Sequence, residues 1–505
     1  MFDYRLMRAV VIAFATLSGH AAFAQGAGAP PAASAEGRAA GEADQNLQDF
    51  DFVVEKLRLN YAGWDAKVTA ETRPALDALT ARLRRAAQGA SQEELTALLQ
   101  EWTRFFDDGH VSVSSLAAPA PAGGSSGAPA STPSLAWNEA GVRAELAARG
   151  ARRDPLEGIW RIDGDRYRLG VLPLPGKPGS FAAVVLSTTS GSWKPGQVKA
   201  ELTRKPDGAL AILYRAGDHG EHPTGATLLL DGAALSVEGW GHWVREAPAI
   251  PVAGLVERAL PGSWLFMKAL SPDTLWLRIP DFNESRAKPL RDLLTENAAA
   301  LASTKNLVID LRNNGGGSDF VYEPLTPLLY SRPIYLVGVE MRATADNIAL
   351  RKQYAEKIRA EAPEIAAFLD RQAARMSERP GAFVPGDDAV FEVKRLETVL
   401  PFPKRVAILV DNAGSTGEQF LLEARQSRKV TLFGKENSAG VLDFANVVGM
   451  PTPSGRFQVS WATSRSMRLP GDPVDPDGIA PDIRIPADEA DPVAYAQRWL
   501  ERQVD

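Results

Sequence analysis

The chain of 505 residues has no cysteine, only five histidines and no long apolar run after its N-terminal segment. The absence of cysteine excludes disulfides, thiolate metal sites, a cysteine nucleophile and a lipid-modified cysteine. No later segment is apolar for the roughly 20 residues that a membrane helix needs, so no stable membrane anchor is expected. The net charge of −6 argues against nucleic acid as a partner, because nucleic acid rewards clustered Lys and Arg.

The N-terminal residues have the composition of a secretory signal. Two arginines precede the apolar run Ala9–Leu17, and the segment ends in an Ala-Phe-Ala sequence at Ala24. This pattern predicts a signal peptide over residues 1–24, cut after Ala24, and therefore a periplasmic or secreted protein. Residues 25–43 are rich in Ala, Gly and Pro and are predicted to form a disordered linker.

The remaining chain divides by its residue patterns, and together these predict a multi-domain α/β fold. Apolar residues at helical spacing indicate a helical region, in which the third helix begins with a capping box at Ser91 and stops just before His110. Short alternating runs then indicate an antiparallel β domain, and strands alternating with helices indicate an α/β layered domain with a mostly parallel sheet. The predicted bounds are 44–116 for the helical region, 117–133 for a flexible linker, 134–250 for the β-rich domain, 251–490 for the α/β domain and 491–505 for a C-terminal helix.

The β-rich region contains tryptophans that could bind a ligand and histidines that could bind a metal ion. Its tryptophans, however, are expected in the domain core: Trp160, Trp193, Trp240 and Trp243. His219 and His222 lie in a turn that contains Gly and Pro, with no third ligand nearby, so a metal site is not expected there.

Ser415 is the most informative residue for function. It follows an apolar strand and a glycine-containing turn and precedes a predicted helix. A hydroxyl there projects from the sheet edge, and N–H groups at a helix N-terminus can stabilise a developing oxyanion. The same segment also fits a capping box, with Ser415 as N-cap and Glu418 three residues later. The segment alone therefore indicates either a nucleophile or a helix cap.

A second segment carries three consecutive glycines, Gly315 to Gly317, at the end of the strand that begins at Asn306. Such a run lets the backbone approach a ligand closely and present an N–H group to it. No Lys-Ser/Thr pair follows, so this is not a nucleotide-binding P-loop. Beside Ser415 it could supply a second oxyanion donor, in addition to the N–H of Thr416.

These segments resemble the tail-specific, or C-terminal-processing, serine proteases and their relatives in the tricorn core. The similar stretches are Leu307–Gly317, Val410–Glu418, Leu432–Gly440 and Val474–Asp482. The resemblance implies a crotonase-like α/β peptidase domain that acts on peptides or proteins without a cofactor. It further implies a nucleophile at Ser415 and oxyanion or substrate-binding roles for Thr416, Gly316 and Gly315.

The base and the acid depend on the branch of this family. Processing proteases use a Ser–Lys dyad, but the position of that lysine is Gly440 here, and Lys435 is expected to be a solvated loop residue. The tricorn-like branch uses a histidine from the helical region and a carboxylate near the end of the domain. His110 and Asp475 match these two in position, with Asp477 as the alternative acid.

The sequence thus predicts an exported serine peptidase in which His110 activates Ser415 and Asp475 orients His110. No PDZ pattern for binding substrate tails is found, and the β-rich domain takes its place. The alternative is a non-catalytic ligand- or peptide-binding protein on the same fold. Catalysis requires a His110 nitrogen within about 4 Å of the Ser415 hydroxyl and Asp475 near the other nitrogen. The sequence leaves the oligomeric state open.

Overall fold

The computed structural model describes residues 35–116, 132–162, 166–205, 207–217, 219–250, 253–387 and 389–503, with no side-chain description for 35–43, 253 and 254. The predicted signal peptide and nearly all of the predicted linker at 117–133 lie outside these residues. In the described part of the chain, no helix has the length and apolar character needed to cross a bilayer.

The N-terminal region is helical, as predicted. Its first helix begins at Ala35, inside the segment predicted to be a disordered linker, where several alanines favour helix. The predicted capping box at Ser91 is present, with Glu94 as its partner. The elements are α1 (Ala35–Asn60), α2 (Trp64–Lys67), α3 (Arg73–Ala87), α4 (Gln92–Thr103) and the strand β1 (Ser112–Ser115).

The β-rich region is a closed antiparallel barrel of eight strands, preceded by one helix. Side chains fill its interior, and Trp160, Trp193 and Trp243 lie in that core as predicted. The prediction for Trp240 is wrong: this side chain is 39% exposed, because it sits in a turn at the barrel end. The elements are α5 (Glu139–Arg149), β2 (Gly158–Ile162), β3 (Tyr167–Pro173), β4 (Ser180–Thr188), β5 (Val198–Arg204), β6 (Leu210–Arg215), β7 (Glu221–Leu229), β8 (Ala234–Val237) and β9 (Gly241–Ala247).

The rest of the chain alternates strands and helices, as its pattern predicted. Its elements are α6 (Ala253–Ala259), β10 (Phe266–Ser271), β11 (Thr274–Arg278), α7 (Ala287–Glu296), α8 (Ala298–Leu301), β12 (Asn306–Asp310), α9 (Asp319–Tyr322), α10 (Thr326–Leu329), β13 (Ile334–Val337), β14 (Val339–Arg342), α11 (Ala345–Ile358), α12 (Pro363–Glu378), β15 (Phe383–Pro385), β16 (Phe391–Lys394), β17 (Arg405–Leu409), α13 (Thr416–Ala424), β18 (Val430–Gly434), β19 (Phe444–Pro451), β20 (Phe457–Ser466), β21 (Ile483–Arg484) and α14 (Pro492–Arg502).

The main sheet of this unit has the order β10-β11-β12-β17-β18-β21. All neighbours pair in parallel except β10, which is antiparallel to β11. The strands β12 and β17 are buried along their length except at Arg405, and helices pack on the sheet, as is usual for parallel sheets. The carboxyl ends of β11, β12 and β17 meet at one sheet edge, where ligand sites of such folds form.

A second sheet joins the helical region to the α/β unit. Strand β1 pairs antiparallel with β20, which also pairs with β14 and β19. Helical side chains such as Phe50 and Trp102 share one apolar core with Trp461 of β20. The two regions are therefore packed together, although the predicted flexible linker and the whole barrel separate them in sequence.

Candidate active site

The turn that carries Ser415 has a strained backbone. Strand β17 ends at Leu409, and α13 begins directly after Ser415. Ser415 has φ 54° and ψ −120°, a conformation that costs a non-glycine residue free energy and that clusters at functional sites. The Ser415 N–H donates to Glu418 Oε2 at 3.1 Å. The glutamate of the predicted capping box is therefore in place.

Glu418 does more than close this turn. Its buried carboxylate also accepts hydrogen bonds from the Ser438 hydroxyl at 2.6 Å and from the N–H groups of Gly440 at 2.7 Å and Val441 at 2.9 Å. Burial raises the pKa of Glu418, although these bonds oppose the rise. Glu418 thus fixes the segment 438–441 against the nucleophile turn, a role that its sequence position does not reveal.

His110 reaches Ser415 from the helical region. The chain leaves the helical turn Arg104–Phe106 through Asp107, which has a left-handed φ of 42°. The His110 N–H then donates to Asp108 Oδ1 at 2.8 Å. His110 Nε2 lies 3.1 Å from Ser415 Oγ, a hydrogen-bond distance across 305 positions of sequence. The structure therefore brings these two predicted site residues together.

Asp108, rather than Asp475, is the carboxylate next to the other ring nitrogen. Its Oδ1 lies 3.5 Å from His110 Nδ1, and its side chain is only 2% exposed. At this distance Nδ1 makes no hydrogen bond to any described residue. The Tyr61 hydroxyl, from the end of α1, donates to Asp108 Oδ2 at 2.5 Å. The chain therefore places Tyr61, Asp108, His110 and Ser415 in a continuous row.

Asp475 lies beside this row and is held differently. Its Oδ1 accepts the N–H groups of Leu442 at 2.6 Å and Asp443 at 3.0 Å. Burial raises the pKa of Asp475 to about 7, although these two bonds oppose the rise. No hydrogen bond joins Asp475 to His110 in the described part of the chain, so the expected contact with the second nitrogen is not found. The carboxylate is still close enough to influence the pKa of His110.

The pKa of His110 reflects opposing effects. Burial alone lowers it, because the charged imidazolium loses its hydration. The negative charges of Asp108 and Asp475 and the Phe444 carbonyl more than offset this effect, and the net pKa lies above the usual histidine value. In Asp108 burial raises the pKa, but His110 and the Tyr61 hydroxyl outweigh it and lower the net value. The pair thus favours a charged His110 beside a charged Asp108.

The alternative acid and the alternative base lie elsewhere. Asp477 is exposed, and its carbonyl oxygen accepts a hydrogen bond from Asn437. Lys435 donates from Nζ to the Ala487 carbonyl oxygen at 3.0 Å on the surface. Neither side chain has a described contact with Ser415 or His110.

Gly440 occupies the position at which a Ser–Lys peptidase would carry its lysine. Its φ is +69°, and a Cβ added there would lie 2.1 Å from the Pro476 carbonyl oxygen. Real Cβ atoms do not approach a backbone oxygen so closely. Any side chain at this position, lysine included, would displace the segment that carries Asp475.

The glycine loop lies directly against Ser415. A Cβ on Gly316 would come within 2.8 Å of the Ser415 Cβ and 2.9 Å of the Thr416 nitrogen, so only glycine fits. The Gly316 N–H, however, already donates to Asn314 Oδ1 at 2.9 Å. This contact leaves it unavailable for the predicted oxyanion role. The N–H groups of Thr416 and Gly315 have no acceptor among the described residues and remain the candidate donors.

The histidine pair of the barrel also finds a structural explanation. Both ring nitrogens of His219 have partners, the Thr132 hydroxyl at 2.7 Å and the Ser192 carbonyl oxygen at 2.8 Å. His222 packs against Trp240. Within the described ranges, no three His, Cys, Asp or Glu side chains are grouped as they would be to bind a metal ion.

Three solved structures are similar to the chain at low sequence identity. Mature CPAF is 14% identical over 91% of this chain and 96% of its own, with a TM-score of 0.47. The photosystem II D1 C-terminal processing protease is 13% identical over 87% and 93%, with a TM-score of 0.33. The tricorn protease is 12% identical over 91% of this chain and 37% of its own, with a TM-score of 0.40. No curated protein sequence matches the chain.

The sequence itself identifies the class. Residues 273–485, which include the whole main sheet from β11 onward, match Peptidase family S41. The chain therefore carries an S41 peptidase domain, and the resemblance stated from its motifs is confirmed. This domain is that of a serine peptidase.

We predict that Gly440→Ala destabilises the protein more than Gly455→Ala. Both glycines have a similar positive φ, but a Cβ at Gly455 meets nothing within 4 Å, whereas at Gly440 it meets the Pro476 carbonyl. The extra overlap should cost about 1–3 kcal/mol in free energy of unfolding, measured by urea denaturation. An equal loss in free energy of unfolding in the two variants would show that the Pro476 segment shifts to accommodate the Cβ at no energetic cost.

Proposed function

We propose that the protein cleaves peptide bonds with Ser415 as nucleophile and His110 as general base. The observation that carries this proposal is the distance of 3.1 Å between His110 Nε2 and Ser415 Oγ. An imidazole is a suitable base near neutral pH, and the strained turn at Ser415 holds the hydroxyl towards it.

The proposed reaction follows from these positions. His110 Nε2 takes the Ser415 proton as Oγ attacks the scissile carbonyl carbon. The carbonyl oxygen becomes an oxyanion, which the N–H groups of Thr416 and Gly315 stabilise. The imidazolium then gives its proton to the leaving amine, and the peptide bond breaks to leave an acyl ester on Ser415. Water, deprotonated by His110, hydrolyses that ester and restores the enzyme.

For the acid we propose Asp108 as the residue that orients His110, with Asp475 in a supporting electrostatic role. Asp108 faces Nδ1, and the Tyr61 hydroxyl and the His110 N–H hold its two oxygens. Asp475 instead accepts two backbone N–H groups at one carboxylate oxygen. Its pKa of about 7 leaves it only partly charged at neutral pH. The sequence-based choice of Asp475 as the orienting acid is therefore revised in this proposal.

Absence of a competing base supports the same assignment. Gly440 has no room for a side chain, and Lys435 is engaged at the surface with the Ala487 carbonyl. We further propose that the mature protein is exported, on the strength of the N-terminal sequence ending at Ala24, and that its substrates are peptides or proteins.

Replacement of Ser415 tests the nucleophile. Ser415→Ala should abolish both peptide hydrolysis and labelling by a fluorophosphonate probe, because both require the hydroxyl. The variant should stay folded, since the Glu418 contacts to the backbone do not involve the hydroxyl. Mass spectrometry of the labelled native protein locates the modified residue. A label on another serine would exclude Ser415 as the nucleophile.

A second prediction concerns the base. His110→Ala should lower kcat/KM roughly a thousandfold or more, the scale of a lost catalytic-triad member. Lys435→Ala is the matched control and should stay within a few-fold of the native protein, because Lys435 lies on the surface. The reverse ranking would restore a Ser–Lys mechanism.

A third prediction separates the two carboxylates by pH dependence. Activity needs neutral His110, so kcat/KM falls as the pH drops through its pKa. Asp108→Asn removes a negative charge that favours the imidazolium, so the acid limb of the pH profile should move to lower pH and the rate should fall. Asp475→Asn should move the limb less, because Asp475 is partly protonated there already. A larger shift with Asp475→Asn would make Asp475 the orienting acid.

A further inference from the structure

A cavity of about 570 Å³ lies between one end of the barrel and the α/β domain. Its barrel side is formed by residues such as Tyr214 and Trp240, and its other side by residues such as Trp264, Pro280 and Asn313. Lys199 closes the barrel beneath it: its Nζ donates to the carbonyl oxygens of Arg215 and Ala216. The cavity is therefore the mouth of a filled barrel, of a size that ligand sites commonly have.

One residue that lines the cavity, Asn313, belongs to the segment just before the glycine loop. Asn313 follows β12 and lies two residues before Gly315. Its N–H donates to the Asp411 carbonyl at 2.9 Å, and its side-chain oxygen accepts from Asn412 Nδ2 at 3.2 Å. Asn412 belongs to the turn that carries Ser415. Cavity and nucleophile thus lie along the same edge of the parallel sheet.

Trp240 lines this cavity and is partly exposed. It stands in the turn between β8 and β9, between Gly239 and Gly241, with 39% of its surface exposed. Its ring lies 4.5 Å from that of Tyr214 and 5.0 Å from that of His222, between centroids. Aromatic rings held in this manner offer a face to an aromatic or aliphatic group.

A neighbouring cavity extends the space into a groove. Its volume is about 750 Å³, and it shares Ser263 and Trp264 with the first. Two of its basic residues are paired within the protein, Lys268 with Glu257 and Arg286 with Asp281. The lining of the two cavities is partly apolar and carries charged residues of both signs. Such a surface suits an extended polypeptide better than a compact ionic ligand.

We infer that this groove binds a segment of the polypeptide substrate outside the scissile bond, with Trp240 contacting an aromatic or large aliphatic side chain. The occupant is the substrate because Asn313, which lines the cavity, contacts Asn412 of the turn that carries Ser415. The inference rests on the proposed peptidase function, and it assigns the barrel a role in selecting substrates.

The test compares variants on one probe, unfolded casein labelled with fluorescein. On a Ser415→Ala background, which prevents cleavage, Trp240→Ala should weaken binding measured by fluorescence anisotropy by about three- to tenfold, the worth of one aromatic contact. Trp240→Phe should recover most of the affinity. Tyr335→Ala is the matched control, since Tyr335 is also an exposed aromatic residue, at 53%, but lies on β13. It should bind as the Ser415→Ala parent does.

The outcomes separate the groove from the catalytic assignment. Unchanged casein binding in the Trp240→Ala variant, or an equal loss in Tyr335→Ala, overturns the inference. Fluorophosphonate labelling of the native protein reports on Ser415 independently. If Ser415 is labelled but Trp240→Ala does not weaken casein binding, the nucleophile assignment stands and the groove inference is wrong. If Ser415 is not labelled, the nucleophile assignment is wrong. A thermal melt of each variant excludes loss of folding as the cause.

Discussion

The packing of the N-terminal helical region onto the second sheet is the constraint on which the site depends. Ser415 and its glycine loop belong to one parallel sheet, but His110 enters only because β1 pairs with β20 two residues beyond it. The apolar core behind that strand joins Trp102 of α4 to Trp461 of β20. Burial of such large side chains supplies the free energy that holds two distant segments of sequence in register. Catalytic geometry is in this sense a property of the core.

Within the site, buried carboxylates do the positioning. Glu418 accepts the Ser415 N–H on one side and N–H groups of the segment 438–441 on the other. Asp475 accepts the next two N–H groups of the chain, those of Leu442 and Asp443. A buried carboxylate that accepts several N–H groups fixes their relative positions, because an unpaired N–H there would be costly. The same burial keeps the pKa of Asp475 near 7. The hydrogen bonds thus fix the position of Asp475, and burial raises its pKa against them.

The sequence predicted the elements better than the contacts between them. Periodicity and glycine positions located the parallel sheet, the barrel strands and the turn at Ser415, since these signals are local. The sequence did not identify Asp108 as a site residue, because it lies two residues before His110 at a helix end, where an Asp usually forms a turn. Its hydrogen bond from the Tyr61 hydroxyl is visible only in the fold. The Gly316 N–H was misassigned for a similar reason. Its acceptor, Asn314 Oδ1, is a side chain whose direction no pattern reveals.

Two ways of activating a serine exclude one another in this fold. A lysine at position 440 needs space for its Cβ, but here that space contains the Pro476 carbonyl oxygen. The segment that fills it carries Asp475, which acts on the pKa of His110. The same close contact between Gly440 and Pro476 therefore leaves no space for a lysine and places the Asp475 carboxylate near His110. In this chain a lysine at position 440 would require the segment at Pro476 to move, so substitution of Gly440 alone should not yield a Ser–Lys enzyme.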